Sequence, residues 1–165
     1  MDALDRLELA MIDYDSGDPK RIQHFLKVRS FARLIAAGEG LDERSRFLIE
    51  AAALVHDIGI HASEKLYGDC SGPHQEELGP ALAEELLNGL GFDPAVTGRV
   101  CYLVGHHHTY GDIDGVDYQI LVEADFLVNL YEDQEGEEAV RAALSRVFRT
   151  PTGRRLCRAQ FAPAE

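Results

Sequence analysis

Residues 51–59 read AAALVHDIG, which sets a histidine and an aspartate side by side at the end of an apolar run. The apolar residues leading into this pair recur at helical spacing: Phe47, Leu48, Ala51, Leu54, Val55 and Ile58. Asp42 is a suitable N-cap, and Gly59 is a suitable residue just past a helix end. The pattern predicts a helix over residues 43–58 that ends with the pair, where a buried carboxylate needs a partner or a metal ion. Taken alone, such a pair is more often a surface pair than a ligand pair.

Length and composition are typical of one globular domain. The 165 residues are 45% apolar and 27% charged, so we predict a single domain over residues 1–165 with a substantial core. No run reaches the roughly 18 apolar residues that a membrane span needs, and the acidic N-terminus is unlike a signal peptide. Three cysteines without CxxC spacing are typical of reduced thiols. We therefore expect a cytoplasmic protein with no membrane partner.

The net charge of −13 bears on the partners that the chain can have. Extended nucleic acid needs a broad basic surface, so it is not expected as a partner. A small anionic phosphorylated substrate stays compatible with this charge, because a metal ion and a few local cations can offset the field. The sequence leaves open whether the chain forms a homodimer.

Helical periodicity dominates the remaining chain, and no segment alternates with period two for long enough to predict a sheet. Caps and apolar stripes predict helices over residues 3–14, 19–37, 43–58, 74–89, from 94 into the triple histidine 106–108, 116–131 and 137–149. Residues 59–73 are expected to form an irregular loop. The Arg-rich C-terminal tail is typical of a solvated face, with a binding role as the alternative. Short connections between helices predict an all-α, single-domain orthogonal helical bundle.

Three further residues are chemically unusual for the helical stripes on which they lie. His24, His107 and Asp125 each lie at helical spacing from apolar residues, so we expect all three to face the core. By itself each histidine is more often a hydrogen-bonded core residue, and Asp125 could pair with an arginine. Together with the His-Asp pair, however, His24 and Asp125 supply two nitrogens and two carboxylates. That set suits Mn²⁺, Fe²⁺ or Mg²⁺ with open coordination positions better than a closed structural zinc site.

The order and spacing of these residues resemble those of the HD-domain metal-dependent phosphohydrolase superfamily. The matching motifs, within about residues 18–131, are RIxHxxxV at 21–28, HDIG at 56–59, HQEELGPALA at 74–83, LVGHHHTY at 103–110 and VEADFLVNL at 122–130. The resemblance implies an all-helical fold of the HD-domain type and metal ligands at His24, His56, Asp57 and Asp125. It also gives Asp57 the catalytic role of accepting a proton from the attacking water.

The residues expected to bind substrate are less well defined. Ile60 stands where the common HDIGK form carries a lysine, which lies near the substrate in relatives. Lys65 in the following segment is a candidate replacement, with an ordinary surface lysine as the alternative. Arg21, one turn before His24, is our best candidate for binding substrate phosphate.

Two enzyme classes fit the resemblance. The first is a phosphohydrolase that cleaves a phosphate ester of a small molecule, such as a nucleotide or a similar phosphometabolite, by metal-activated water. The alternative is an HD-type di-iron oxygenase that cleaves a C–C or C–P bond, which the triple histidine and His74 keep open. A metal-bearing ligand sensor is a third, non-enzymatic hypothesis. We rank it last because all four core ligands are present.

The remaining histidines suggest a second metal ion beside the first. His74 lies at helical spacing from apolar residues, so periodicity favours it over Glu77 as the inward ligand. Its partner is His107, or His106 if the helix phase shifts by one residue. The alternative is that these histidines bind substrate phosphate through their N–H groups. We therefore expect one or two divalent ions per chain, from the set Mn, Fe, Mg, Ni and Zn.

Overall fold

The computed structural model describes residues 1–164, and over these residues the chain is all-helical, as the sequence predicts. The helices, numbered in chain order, are α1 Ala3–Tyr14, α2 Pro19–Gly38, α3 Glu43–Val55, α4 Ile60–Tyr67, α5 Gly72–Gly89, α6 Pro94–Val104, α7 Val116–Glu132, α8 Glu137–Arg146 and α9 Pro151–Phe161. Many begin at a polar cap whose side chain accepts a hydrogen bond from a first-turn N–H, namely Asp2, Asp18, Asp42, Asp93 and Thr150. Among the described residues, no helix combines the length and the hydropathy that crossing a membrane requires.

The core lies where α2, α3 and α7 pack against one another. Helix α2 contacts both α3 and α7, while α3 also contacts α1 and α6. The α5–α6 pair packs beside them, and α8 and α9 contact α7. The apolar stripes of the three central helices are buried, as with Val28, Ile35, Ile49, Leu54, Leu121 and Val128. Any polar group on the same faces of α2, α3 and α7 is therefore held in a tightly packed, apolar surrounding.

The segment 59–73 contains helix α4, so the prediction of an irregular loop is wrong. Ile60 and Ser63 are buried, and α4 packs against α5. The Ser63 hydroxyl also donates to the Gly59 carbonyl at 2.8 Å. The eight residues of α4 make only about two helical turns, which is shorter than the stretch of roughly 11–18 residues over which helical periodicity is recognised.

Gly59 serves close packing instead of ending a helix. Its φ is −76°, so it lacks the left-handed conformation that its position after the apolar run predicts. A Cβ at this position would lie 2.9 Å from the Gln75 carbonyl oxygen and 3.1 Å from the Gly79 nitrogen. The absence of a side chain therefore lets α5 approach the turn that carries the His-Asp pair.

Several helix ends differ from the sequence-based predictions. Helix α3 ends at Val55 and α6 at Val104, because the chain tightens into turns with i→i+3 hydrogen bonds. Helix α8 ends at Arg146, and much of the Arg-rich tail forms α9. The His-Asp pair and the triple histidine therefore lie on turns, where helical periodicity no longer decides which way a side chain points.

The buried face of α5 also differs from the prediction. Periodicity places His74 inward, whereas the buried residues are Gln75, Gly79, Ala83 and Leu87. Gly79 lies on this face because the backbone of α5 approaches α6 closely: a Cβ here would lie 2.7 Å from the Val104 side chain. A pattern of apolar residues gives no weight to a glycine, so it places the inward face one residue too early.

Candidate metal centre

Three helices bring imidazole and carboxylate groups together in the core. His24 comes from α2, His56 and Asp57 from the turn after α3, and Asp125 from α7. The Nε2 atom of His24 lies 3.2 Å from His56 Nε2, 3.1 Å from Asp125 Oδ1 and 3.3 Å from Asp57 Oδ2. His24 and Asp125 are buried, as their stripes predict, whereas the Asp57 side chain is 20% exposed. This first group is therefore reached from solvent on the Asp57 side.

Hydrogen bonds decide which nitrogen each imidazole turns toward the centre. His24 Nδ1 donates to Glu132 Oε2 at 3.1 Å. His56 and His107 each donate from Nδ1 to the backbone carbonyl three residues earlier, at 2.7 and 2.9 Å. In the neutral form, all three rings therefore present the lone pair of Nε2 to the centre, and this is the tautomer that a metal ligand needs.

The donor atoms of the centre fit a divalent metal ion. The lone pairs of His24 and His56 face each other across 3.2 Å, which is repulsive unless a proton or a cation lies with them. The buried Nε2 of His107 has no hydrogen-bond partner within residues 1–164, although Asp57 Oδ1 lies 3.3 Å away. A divalent ion satisfies nitrogen lone pairs and carboxylate oxygens at once, so the residues present match such a group.

The charges of these residues show how strongly the centre attracts a cation. Burial lowers the pKa of His56, but Asp57 and Asp125 outweigh burial and raise it to about 9. Burial raises the pKa of Asp57, yet His56 and His107 hold it below its ordinary value. Burial also acts to raise the pKa of Asp125. Hydrogen bonds from His24 and His56 outweigh this effect and hold the pKa well below its ordinary value. Without a metal ion, the centre therefore carries a proton at neutral pH that a metal ion must displace.

A second group of ligand atoms lies on the other side of Asp57. Asp57, His107 and His108 each offer an atom within 4.8 Å of the others. Asp57 Oδ2 faces the histidines of the first group, whereas Oδ1 faces His107. One carboxylate thus stands between two sets of donors, as in sites where two ions share a bridging ligand.

The turn with the triple histidine is held in place by α5 and α7. The Gln75 amide oxygen accepts a hydrogen bond from His108 Nε2 at 3.1 Å, which leaves His108 Nδ1 as the ligand atom. Burial and His107 lower the pKa of His108 to about 4, so this ring stays neutral. Glu76 accepts from the His108 backbone N–H at 3.0 Å, and the Tyr118 hydroxyl bonds two carbonyls of the same turn. The HQEELGP motif thus supports the centre through Gln75 and Glu76.

Two of the predicted histidine ligands lie outside both groups. His74 Nδ1 bonds Asp69 at 2.7 Å and its ring stacks on Tyr67, because the inward face of α5 begins at the next residue. His106 Nδ1 bonds the Tyr102 carbonyl at 2.6 Å, and its ring stacks on the Tyr102 ring. Of the pair His106 and His107, the structure therefore brings only His107 to the centre, and it adds His108.

The predicted substrate-binding cations lie on the surface beside α4. Arg21 has Glu64 Oε1 at 3.8 Å, so part of its charge is offset. Lys65 is exposed on the last turn of α4. Neither residue has a hydrogen bond to the two ligand groups in the described chain. Their role in binding substrate stays a prediction.

Sequence reasoning did not identify two residues that orient the ligands. Asn129 donates from Nδ2 to Asp125 Oδ1 at 2.9 Å. Glu132 accepts from His24 and pairs with Lys27 Nζ at 2.8 Å. Both residues follow Asp125 at four and seven positions along α7, so they share its face. That spacing is the signal that could have identified them.

Comparisons with known proteins give a family and a structural relative. The family model of the HD domain matches residues 21–145, which include every residue of the two ligand groups. A crystal structure of a predicted HD superfamily hydrolase from an uncultured Thermotogales bacterium is also similar. Its sequence identity is 30% and its TM-score 0.64, and the match covers 97% of this chain and 83% of that chain. A search of the curated proteins gives no significant match.

Proposed function

The chain belongs to the HD-domain family, and we propose that it is a metal-dependent hydrolase that cleaves a phosphate ester of a small molecule. The observation that carries this proposal is the position of Asp57. Its two oxygens face two sets of histidine nitrogens, and its side chain is the most exposed of the first group, at 20%. A substrate and a water molecule can therefore reach the centre beside this carboxylate.

The donor set indicates which ions would bind. His24, His56, Asp57 and Asp125 would hold one ion, and Asp57, His107 and His108 a second. When bound, such ions lower the pKa of a water molecule and polarise a phosphoryl oxygen. Imidazole nitrogens outnumber carboxylates in this set, which favours Mn, Fe, Ni or Zn over Mg, since Mg prefers oxygen ligands.

Asp57 is the residue that would move a proton. Its pKa lies below the ordinary value because His56 and His107 outweigh the effect of burial, so the carboxylate is ionised at neutral pH. An ionised carboxylate at the exposed edge of the centre can accept a proton from the attacking water. Hydrogen bonds from Asn129 to Asp125 and from His24 to Glu132 fix the orientation of these two ligand side chains.

Reconstitution with defined metals tests the proposal. Metal-free protein is loaded with Mn, Fe, Ni, Zn or Mg and assayed for release of inorganic phosphate from a panel of nucleotides and sugar phosphates. We expect hydrolysis that depends on the metal and is lost in Asp57→Ala. Asp13→Ala, at an exposed position on α1, serves as the matched control and should keep the wild-type rate. Metal-loaded protein without activity on any phosphate ester would contradict the proposal.

The imidazole-rich centre also supports the oxygenase alternative, since two iron ions could bind to the same donors. This alternative is tested with the iron-loaded protein under air. Consumption of dioxygen that is coupled to cleavage of a C–C or C–P bond, with no phosphate-ester hydrolysis, would favour the oxygenase. Hydrolysis that proceeds equally well under anaerobic conditions favours the phosphohydrolase.

A further inference from the structure

A small polar pocket lies between the segment after α6 and the C-terminal end of α8. Its volume is about 240 Å³, and its lining residues include Tyr110, Gln119, Val122, Arg146 and Arg149. Pockets that enclose a whole drug-sized ligand are about 300–1,000 Å³. This pocket therefore has room for one group of a larger molecule.

Two arginines line this pocket, and neither forms a salt bridge within residues 1–164. Within residues 1–164, neither Arg146 nor Arg149 has a carboxylate within 4.0 Å, although the chain carries 29 acidic residues. Arg149 donates only to backbone carbonyls, those of Ser145 at 3.3 Å and Arg146 at 3.0 Å. These bonds hold the guanidinium at the C-terminal end of α8 and leave it without a carboxylate partner. No aspartate or glutamate is among the described residues that line the pocket, and the nearby Glu123 carboxylate is buried behind the wall, where it accepts from the Gln119 amide and the Arg149 backbone N–H.

Two segments of chain connect the wall of the pocket to the metal centre. Val122, in its wall, precedes Asp125 by three residues on α7, which is about 4.5 Å along a helix axis. Tyr110 follows His108 by two residues, and its ring packs edge-on against Phe126 with the centroids 5.3 Å apart. The wall of the pocket therefore continues, along the chain, from the ligand-bearing parts of α7 and of the turn after α6.

We propose that the pocket binds a second anionic group, a phosphate or a carboxylate, on the substrate whose phosphate ester is cleaved at the metal centre. This inference rests on the proposed function and narrows it to substrates with two anionic groups. Guanidinium groups bind both kinds of anion through charge-assisted, often bidentate, hydrogen bonds. The sequence places the two arginines three residues apart, at the end of α8 and in the segment that follows it.

A matched pair of substrates measures this selectivity. Adenosine 5′-monophosphate and adenosine 3′,5′-bisphosphate differ by one phosphate, and the metal-loaded protein is assayed with each. We expect a higher kcat/KM for the bisphosphate, and a fall in that preference of about tenfold in Arg146→Gln and again in Arg149→Gln, mainly through KM. Arg141→Gln is the control, because that exposed arginine pairs with Glu137 on α8 outside the pocket. Equal preference in the wild type and both variants would overturn the inference.

Binding of inorganic phosphate to the metal-free protein separates this inference from the proposed function. Phosphorus NMR should show phosphate binding that weakens about tenfold in each arginine variant and is unchanged in Arg141→Gln. If neither nucleotide is hydrolysed while phosphate binding still depends on the arginines, the proposed function fails and the anion pocket stands. If phosphate binding depends on the arginines but the bisphosphate preference does not, the pocket takes free phosphate, and the substrate assignment is overturned. Circular dichroism confirms that each variant is folded.

Discussion

Two buried carboxylates lie two residues apart on α7, and they have opposite surroundings. Glu123 is 0% exposed and Asp125 is 3% exposed. The Glu123 carboxylate accepts hydrogen bonds from the backbone N–H groups of Arg149 and Thr150, from the Thr150 hydroxyl and from the Gln119 amide. Asp125 faces the Nε2 atoms of His24 and His56 and also accepts a hydrogen bond from the Asn129 amide.

The difference shows that burial alone does not identify a functional carboxylate. Residues two apart on a helix point about 200° apart around its axis, so Glu123 and Asp125 reach opposite sides of α7. Glu123 meets N–H and O–H donors at the start of α9, which satisfy its charge without a cation. Asp125 faces imidazole nitrogens that carry lone pairs when the rings are neutral, so its side of the helix needs a proton or a metal ion.

Replacing Asp125 should have the largest effect on metal binding. In Asp125→Asn we expect the affinity for Mn²⁺ or Zn²⁺ to fall by more than about 1,000-fold, beyond the 10–100-fold typical of residues that only support ligands. The free energy of unfolding of the metal-free protein should also fall, because the ionised Asp125 pairs with the protonated His56 when no metal ion is bound. Isothermal titration calorimetry and urea denaturation in chelator measure the two quantities. Unchanged affinity would show that Asp125 is not a ligand.

Replacing Glu123 should reduce stability without reducing metal binding. Glu123→Gln puts an amide NH₂ among N–H and O–H donors, so the free energy of unfolding should fall by about 2–3 kcal/mol. Metal bound per folded chain should stay at the wild-type value. The exposed Glu135→Gln is the matched control and should change stability by less than about 0.5 kcal/mol. Loss of metal in Glu123→Gln without loss of stability would remove the distinction between the two sides of α7.

The sequence predicts the side of α7 that carries Asp125, its metal-binding side, better than the side that carries Glu123. His24 and Asp125 lie within regular helices, where their apolar neighbours at helical spacing determine that they face the core. Nothing in VEADF separates Glu123 from an ordinary surface glutamate. Its donors lie near residue 150, and only the fold brings them to α7.

The residues at helix ends could not be placed from the sequence. His74, His106 and His108 lie in a first turn or just past a last turn, where the backbone leaves the helical path. The phase of α5 depends on how closely Gly59 and Gly79 let the helices approach, which is a property of packing and not of hydropathy. For this reason the prediction of His74 as inward is wrong, while His108 was not identified.

Glu132 offers a smaller test of the metal-binding side. Glu132→Leu removes the acceptor that fixes the His24 tautomer, so the affinity for the first ion should fall by about 10–100-fold. Glu135→Leu, three residues later and exposed, is the control and should leave affinity unchanged. Metal titration by calorimetry measures the change. An affinity in Glu132→Leu equal to that of the control would mean that His24 needs no support from α7.

Thr150, which binds Glu123, offers the smallest test. Its hydroxyl donates to Glu123 and accepts from the Gly153 N–H at the start of α9. In Thr150→Val we expect a loss of about 1–2 kcal/mol in the free energy of unfolding, with no change in metal content. Ser145→Ala, at an exposed position on α8, is the control for urea denaturation. A loss no greater than that of the control would mean that the N-cap contributes nothing to stability.

The number of metal ions per chain tests the central claim most directly. Metal-free protein is dialysed against Mn²⁺ or Zn²⁺ under anaerobic conditions, and bound metal is measured by elemental analysis in wild type, His107→Ala and Asp57→Ala. The account predicts about two ions per wild-type chain, about one in His107→Ala and almost none in Asp57→Ala, because Asp57 faces both ligand groups. A wild-type chain that binds no metal, or an Asp57→Ala variant that binds as much as the wild type, would contradict it.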